Sequence, residues 1–494
     1  MPNHRTTPAA HELWRRTQIA LAKVTGYGCR IDKAYLDGAI TKVASDIKAL
    51  EGAMIEDPDF RHWRRRYGEK SNLTSYSQLA EVAYKDLGLT AKKKTEGGGR
   101  DSAARSNFEG VQIPLIRKFV EAAELRKALD TYLIGIRREV IQHADGLWYV
   151  HPSYNLNSVV SFRSSSSDPN YQNIPNRNPL IAEIIRRCYI PRPGRQLGEI
   201  DYGQIEVRIP CPYTFDPVLM EYVCDPSKDM HRDMACQLFK LTIDQVKQCK
   251  PLRNLVKGKY VFATFYGSYW GLTAKDLWEG IDAPEMKFAD GTTVREHLTK
   301  IGFTELGIEC LETGEPPAKG TWTAWVRSND EEFWGARFKV YAQWKKDWYE
   351  SYLRTGGFTM LTGFAVNFPL DKKSVCNAPI QGVGFHCLAW SLCQMIEWLE
   401  RYGMESRVIG QIHDCLCLDL DPAERDDVFH AANEIMTRRI KKWAPWLNIP
   451  LVAEAECCPV DRPWFEKYAL SEKEGVYVPS DLTKWEKANG PWVA

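Results

Sequence analysis

An α+β fold is the architecture this 494-residue sequence predicts, on three observations. Long stretches carry apolar residues at helical spacing, as in DKAYLDGAITKVASDIKALEGAM and IPLIRKFVEAAELRKALDTYL. A few short runs, RQLGEI, RVIGQI and CLCLDLD, read as strands. The helical stretches and the strands occupy separate parts of the chain.

Taken in order, the segment from Ile31 to Leu133 is mostly helical. A basic, Gly-rich stretch breaks its pattern, with Lys92, Lys93 and Lys94 ahead of Gly97, Gly98 and Gly99. Two long helices with a basic tip between them make an arm. From Leu147 to Arg208 the texture changes to a serine run (Ser164 to Ser167), then Pro169, Pro175 and Pro179. RQLGEI follows as a strand running into Asp201. Residues 211–372 return to helices rich in Trp and Tyr. Asn377 to Gly403 reads as one long helix, with Pro379 at its start and Gly403 at its end. RVIGQI and CLCLDLD then form two strands joined by a tight hairpin at His413-Asp414. No internal repeat is present.

The length suits about two to four subdomains. A hydrophobic fraction of 44% and a charged fraction of 26% are ordinary for a soluble globular protein. No run reaches the roughly 18 apolar residues of a membrane span, and the N-terminus lacks the apolar stretch of a signal peptide. The expectation is a cytoplasmic protein (host cytoplasm if phage-encoded) with no membrane partner. The fourteen cysteines form no CxxC pair and read as reduced core residues.

A net charge of +1 does not announce a nucleic-acid binder. Local clusters stand out all the same, notably Arg61, Arg64, Arg65 and Arg66 with His62 and Trp63. Such a cluster is either a solvated helix face or a phosphate contact, where local charge outweighs the total.

Asp201 ends one strand and Asp414 sits on a hairpin turn. If the strands are neighbours, both carboxylates converge on one point. Mg²⁺ takes oxygen ligands and uses one or two protein carboxylates plus substrate phosphates. A pair of such ions about 4 Å apart activates an attacking hydroxyl and stabilises a leaving oxygen. Taken singly, a strand-end Asp is ordinarily a turn or cap residue, so the case rests on the surrounding sequence.

That sequence carries five ordered segments. Asp201-Tyr202-Gly203-Gln204-Ile205-Glu206-Val207-Arg208 resembles motif A of the family A (DNA polymerase I-like) DNA polymerases. Arg163 to Asp168-Pro169-Asn170-Tyr171-Gln172-Asn173-Ile174-Pro175 resembles the segment upstream of it. Arg253 to Gly267 resembles motif B, Asn377 to Gly382 the helix after the fingers, and Gln411-Ile412-His413-Asp414 motif C. Thr25-Gly26 to Asp32 and Trp464 have counterparts as well. Five segments in family order are hard to explain by chance.

The resemblance implies a right-hand polymerase fold with an antiparallel-sheet palm, helical fingers and a helical thumb. Residues 1–30 pack on the palm, 31–134 form the thumb, and 135–210 and 373–494 form the palm. Residues 211–372 form the fingers. It implies template-directed DNA synthesis from a primer 3′-hydroxyl, with primer-template DNA and deoxynucleoside triphosphates as partners and two Mg²⁺ ions as cofactor. Asp201, Asp414 and the Tyr202 carbonyl are then the metal ligands. Gln204, Glu206, His231, Arg253, Lys257, Phe262 and Tyr266 face the nucleotide, with Lys259 as an alternative cation and Glu206 as a steric gate against the 2′-hydroxyl. Arg163, Gln172, Asn173, Asn377, Gln381 and His413 face the DNA; His386 is a core residue.

Motif B departs from family spacing. Phe262 and Tyr266 keep the four-residue interval, whereas Arg253 and Lys257 lie one residue out of step. A one-residue insertion taken up as a π-bulge restores a single face. Motif C has Cys415 where many relatives have Glu, and a thiol is a poor Mg²⁺ ligand. The chain starts almost at the thumb, so no proofreading exonuclease is expected in it, which leaves room for a separate exonuclease or processivity partner. The Gly271–Trp334 stretch, with ETGEPPAKG (Gly314, Gly320), exceeds compact bacterial fingers and looks more like phage-encoded relatives. Glu206 argues against a single-subunit RNA polymerase. The alternative of a different class is a catalytically degenerate DNA-binding protein of the same fold.

Overall fold

The computed structural model describes residues 4–90, 102–108, 110–176, 178–307 and 316–489. Lys92 to Lys94, Gly97 to Gly99 and Gly314 lie outside the described residues.

The strand readings hold. RQLGEI extends into β1 (Gln196–Tyr202), RVIGQI is β2 (Arg407–Ile412), and CLCLDL is β3 (Cys415–Leu420). Three further strands, β4 (Ala453–Cys457), β5 (Tyr468–Lys473) and β6 (Val476–Pro479), complete an antiparallel sheet of order β6-β5-β4-β1-β3-β2. β1 is central because it is flanked by β3 and β4, with Cys415 and Glu454 opposite Asp201. Alternation then sorts its side chains. Ile200 joins a large core that also holds Leu416, Leu418 and the helix Lys372–Arg401. Leu197, Cys415 and Cys417 face a second core.

The helix Pro8–Tyr27 shares the first core through Leu13, Leu21 and Val24 and donates Thr7 N–H to Gly363 O at 2.9 Å. The arm is more divided than two helices. Between Lys33–Ile55 and Pro114–Lys127 lie two short helices, Phe60–Tyr67 and Tyr76–Lys85. They close a third core around Trp63, Phe108 and Phe119, with Trp63 stacked on Phe119. Trp63 is fully buried while Arg61, Arg64 and Arg65 of the same helix are exposed. Trp63→Ala costs about 3–5 kcal/mol by this burial.

The long helix starts earlier than the proline suggested. It runs Lys372–Arg401, capped by Asp371 accepting from Ser374 N–H, and Pro379 lies inside it. Proline removes the bond that its own position would make to the carbonyl four residues back. That carbonyl, of Val375, accepts from the Trp348 indole at 3.1 Å instead, so the helix continues. The stretch after Gly271 forms the helices Trp270–Gly280, Val294–Lys300 and Trp322–Glu332 around buried Trp322, Leu277 and Leu298. Every described cysteine is free and most are buried. No helix among the described residues is long and apolar enough to cross a membrane.

Candidate active site

Sheet register brings the two aspartates together. β3 runs antiparallel to β1, and Tyr202 N–H donates to Asp414 O at 3.2 Å. Asp414 occupies the β2–β3 turn, where His413 takes φ +52°, a conformation that costs a non-glycine residue energy. A small polar network holds this turn. Gln411 donates to His413 O at 2.7 Å, and its own carbonyl accepts from Ser164 at 2.7 Å and from Gln172 at 2.6 Å.

Both aspartates are driven above the usual carboxylate range. Burial acts first on each; for Asp201 the charges of Asp414, Glu199 and Glu454 add to it, and for Asp414 the charge of Glu206 does. Asp201 Oδ1 is buried with no hydrogen-bond partner. Unpartnered buried carboxylate oxygen is costly unless a cation or proton arrives, so the donor set fits a hard divalent ion. Among the described residues no three or more His, Cys, Asp or Glu side chains form a metal cage. The Tyr202 phenol points away, to Ser391 at 2.9 Å, so only the main chain of Tyr202 is free to serve.

The basic residues of motif B lie on one helical segment. The helix Lys250–Val256 passes through a widened π-turn, Lys257–Val261, into Phe262–Phe265. The insertion therefore sits where the spacing required it, and it returns Lys257 to Phe262: the ammonium lies 5.6 Å from the ring centroid. His231 meets the same ring edge-on at 5.5 Å and is 1% exposed, with neither ring nitrogen partnered. Burial first, then the charges of Lys257 and Arg253, push its pKa down to about 4. Arg253 is held by Asp229 through two hydrogen bonds, 2.6 and 3.1 Å. Gln204 (φ +55°), Arg253 and Asp229 line a pocket of about 490 Å³.

Lys259 is a correction: it is not brought to this face, because its ammonium is spent on Asp276 of the neighbouring helix at 3.0 Å. Glu206 and Arg163 form an ion pair at 3.0 Å. The Tyr266 phenol faces Glu206 and is pushed up, by burial first and then by that carboxylate. Asn377 donates to Tyr266 O at 3.1 Å, and Gln381 lies one turn further on, partly exposed.

Gln172 departs from a DNA-facing role. It is 8% exposed and its amide nitrogen is used by Ser164 and Gln411, so it braces the Asp414 turn from behind. With Asn173 and His413 it also lines a groove of about 580 Å³ that includes Arg105, Lys127 and Tyr132. His386 is fully buried, bonded to Thr362 and stacked on Phe364. Sequence reasoning missed Asp229 and the bracing Ser164 and Gln411. Asp229 was detectable only as an N-cap two residues before His231.

Residues 52–287 match the model of DNA polymerase family A. The thermostable DNA polymerase I of Thermus thermophilus is 31% identical over 439 residues, 88% of this chain and 46% of that protein. A DNA polymerase of Bacillus phage SP01 is 25% identical over 414 residues, 79% of this chain and 39% of its own. The chain thus spans about half the length of the curated relatives it matches or less. Its fold is that of the POL domain of Pol1 from M. smegmatis, solved with DNA primer-template and dNTP. The TM-score is 0.69 at 22% identity, covering 92% of this chain and 70% of that one. The chain thus resembles DNA polymerase family A over residues 52–287 and shares the fold of a polymerase domain.

Proposed function

We propose that the chain is a template-directed DNA polymerase that extends a primer 3′-hydroxyl with deoxynucleoside triphosphates and releases pyrophosphate. The observation that carries this reading is the buried pair Asp201 and Asp414, brought together by sheet register, with one Asp201 oxygen left without a hydrogen-bond partner. Asp201, Asp414 and the Tyr202 carbonyl would hold two Mg²⁺ ions, whose chemistry would be activation of the hydroxyl and stabilisation of the leaving oxygen. The protein's own work is positioning and charge, which suffices for phosphoryl transfer.

Lys257 and Arg253 hold the triphosphate, and His231, neutral at working pH, donates a hydrogen bond to it. Phe262 stacks beside base and sugar, with Tyr266 next to the template base. Glu206, fixed by Arg163, fills the space of a 2′-hydroxyl; an incoming hydroxyl there meets a carboxylate already committed to its partner. Arg163, Asn173, Asn377, Gln381 and His413 line the path of primer and template. In this reading residues 31–134 are the thumb, 211–372 the fingers and the six-stranded sheet the palm. The test is primer extension on a DNA template with Mg²⁺, offering deoxy- or ribonucleotides. Template-dependent extension with deoxynucleotides, lost in Asp201→Ala, supports the reading. DNA binding without extension by the wild type favours the degenerate alternative.

A further inference from the structure

The floor beside the aspartates carries a second charged set that the site above does not use. Side chains alternate along β1, so Glu199 shares the face of Asp201. Cys417 and Glu456 lie opposite Glu199, as Cys415 and Glu454 lie opposite Asp201. One oxygen of Glu199 accepts from the Trp464 indole, and the other accepts from Lys467 at 2.6 Å. Lys467 also reaches Glu456 at 2.5 Å. The Cys415 thiol lies 3.9 Å from Glu199, in the space where a longer side chain would displace it. Glu199 and Lys467 side chains are 13% and 21% exposed, and with Cys415, Glu456 and Trp464 they line one cleft of about 630 Å³ that also holds Asp201 and Asp414.

Charges this buried are weakly screened by salt and fixed in direction by their hydrogen bonds. Two carboxylates sharing one ammonium leave a net negative charge on the metal-facing side of the sheet. We propose that Glu199 and Lys467 are positioning residues that set the field at the Asp201–Asp414 centre. Glu199 strengthens its hold on divalent cations, and Lys467 limits that hold. The inference rests on the metal-dependent polymerase reading. The competing account is a fastener that only ties the β5–β6 hairpin to the sheet.

Opposite signs separate the two. Mn²⁺ binding to the full chain, followed by electron paramagnetic resonance of the free ion, is compared for wild type, Glu199→Gln, Lys467→Gln, Lys467→Arg and Asp201→Ala, with thermal unfolding of each. Glu199→Gln keeps the acceptor for Trp464 and is expected to weaken Mn²⁺ binding on the order of tenfold. Lys467→Gln tightens it several-fold, and Lys467→Arg, which keeps the charge, retains wild-type affinity. The Mg²⁺ concentration for half-maximal extension moves the same way. Unchanged Mn²⁺ affinity in both Gln variants overturns the proposal, as does parallel weakening with a lower unfolding midpoint, which is the fastener's signature. If wild type binds no Mn²⁺, or Asp201→Ala binds it equally well, the polymerase reading falls and this inference with it.

Discussion

The two sides of the cleft are built on different principles. The sheet side holds Asp201 and Asp414 by backbone register: β1 and β3 cannot slip without turning every core residue outward. Its like charges are forced together, and Asp201 Oδ1 is left without a hydrogen-bond partner. The helical side holds a cation by a side-chain ion pair, Arg253 on Asp229, which is exchangeable. A site for a polyanion and its counter-cations benefits from both. The carboxylates are preorganised by the backbone, whereas Arg253 is held by a side-chain partner.

The most severe way to break this arrangement is on the sheet. Asp201→Asn lowers extension by at least about 10³-fold. In metal-free protein it also raises stability by about 1 kcal/mol, because it relieves buried repulsion. Primer extension and denaturant unfolding read the two effects, and a variant that loses both activity and stability contradicts the preorganised-strain view.

Next in size is the gate between the two sides. Glu206→Ala raises ribonucleotide incorporation roughly 10²-fold relative to deoxynucleotide. Unchanged discrimination in single-nucleotide insertion removes the assignment.

Acid probes the helical side. The His231 pKa of about 4 lies below its unfolded value near 6.5. The unfolded chain therefore binds more protons between these values. The stability linked to His231 is intact above about pH 6.5 and is lost as pH falls toward about 4. Between pH 7.5 and 5 this amounts to roughly 2 kcal/mol. Denaturant unfolding at both pH values should show a difference smaller by that amount in His231→Gln, and an identical pH dependence would refute the linkage.

Smaller again is the choice of lysine. Lys257→Ala lowers kcat/KM for nucleotide by about tenfold, while Lys259→Ala stays within about twofold. The reverse result moves the basic face by half a turn. Smallest is the latch: Asp229→Asn keeps the helix cap but loosens Arg253, and lowers nucleotide KM by up to about threefold. A raised KM would instead make Asp229 an orienting group.

Much of this was legible because it is local. Strand and helix periodicity gave β1, β2, β3 and the long helices, and the motif spacing even required the one-residue excess that became the π-turn at Lys257–Val261. The helix Lys372–Arg401 was misjudged at its start because the donor that compensates Pro379, Trp348, lies 31 residues away from it. Gln172 was read as facing DNA because its motif does not reveal that Gln411, 239 residues on, takes up its amide. Lys259 and Lys257 look alike in sequence, and only the position of Asp276 on the next helix separates them.

By itself, then, the sequence determined most of the secondary structure and the resemblance to a polymerase family, since these follow from residue type and short-range spacing. Tertiary structure decided which charged side chains are free and which are spent. Burial and long-range partners settle that: Asp201 is left without one, Arg253 is held by Asp229, and Glu199 is drawn to the catalytic face by Trp464 and Lys467.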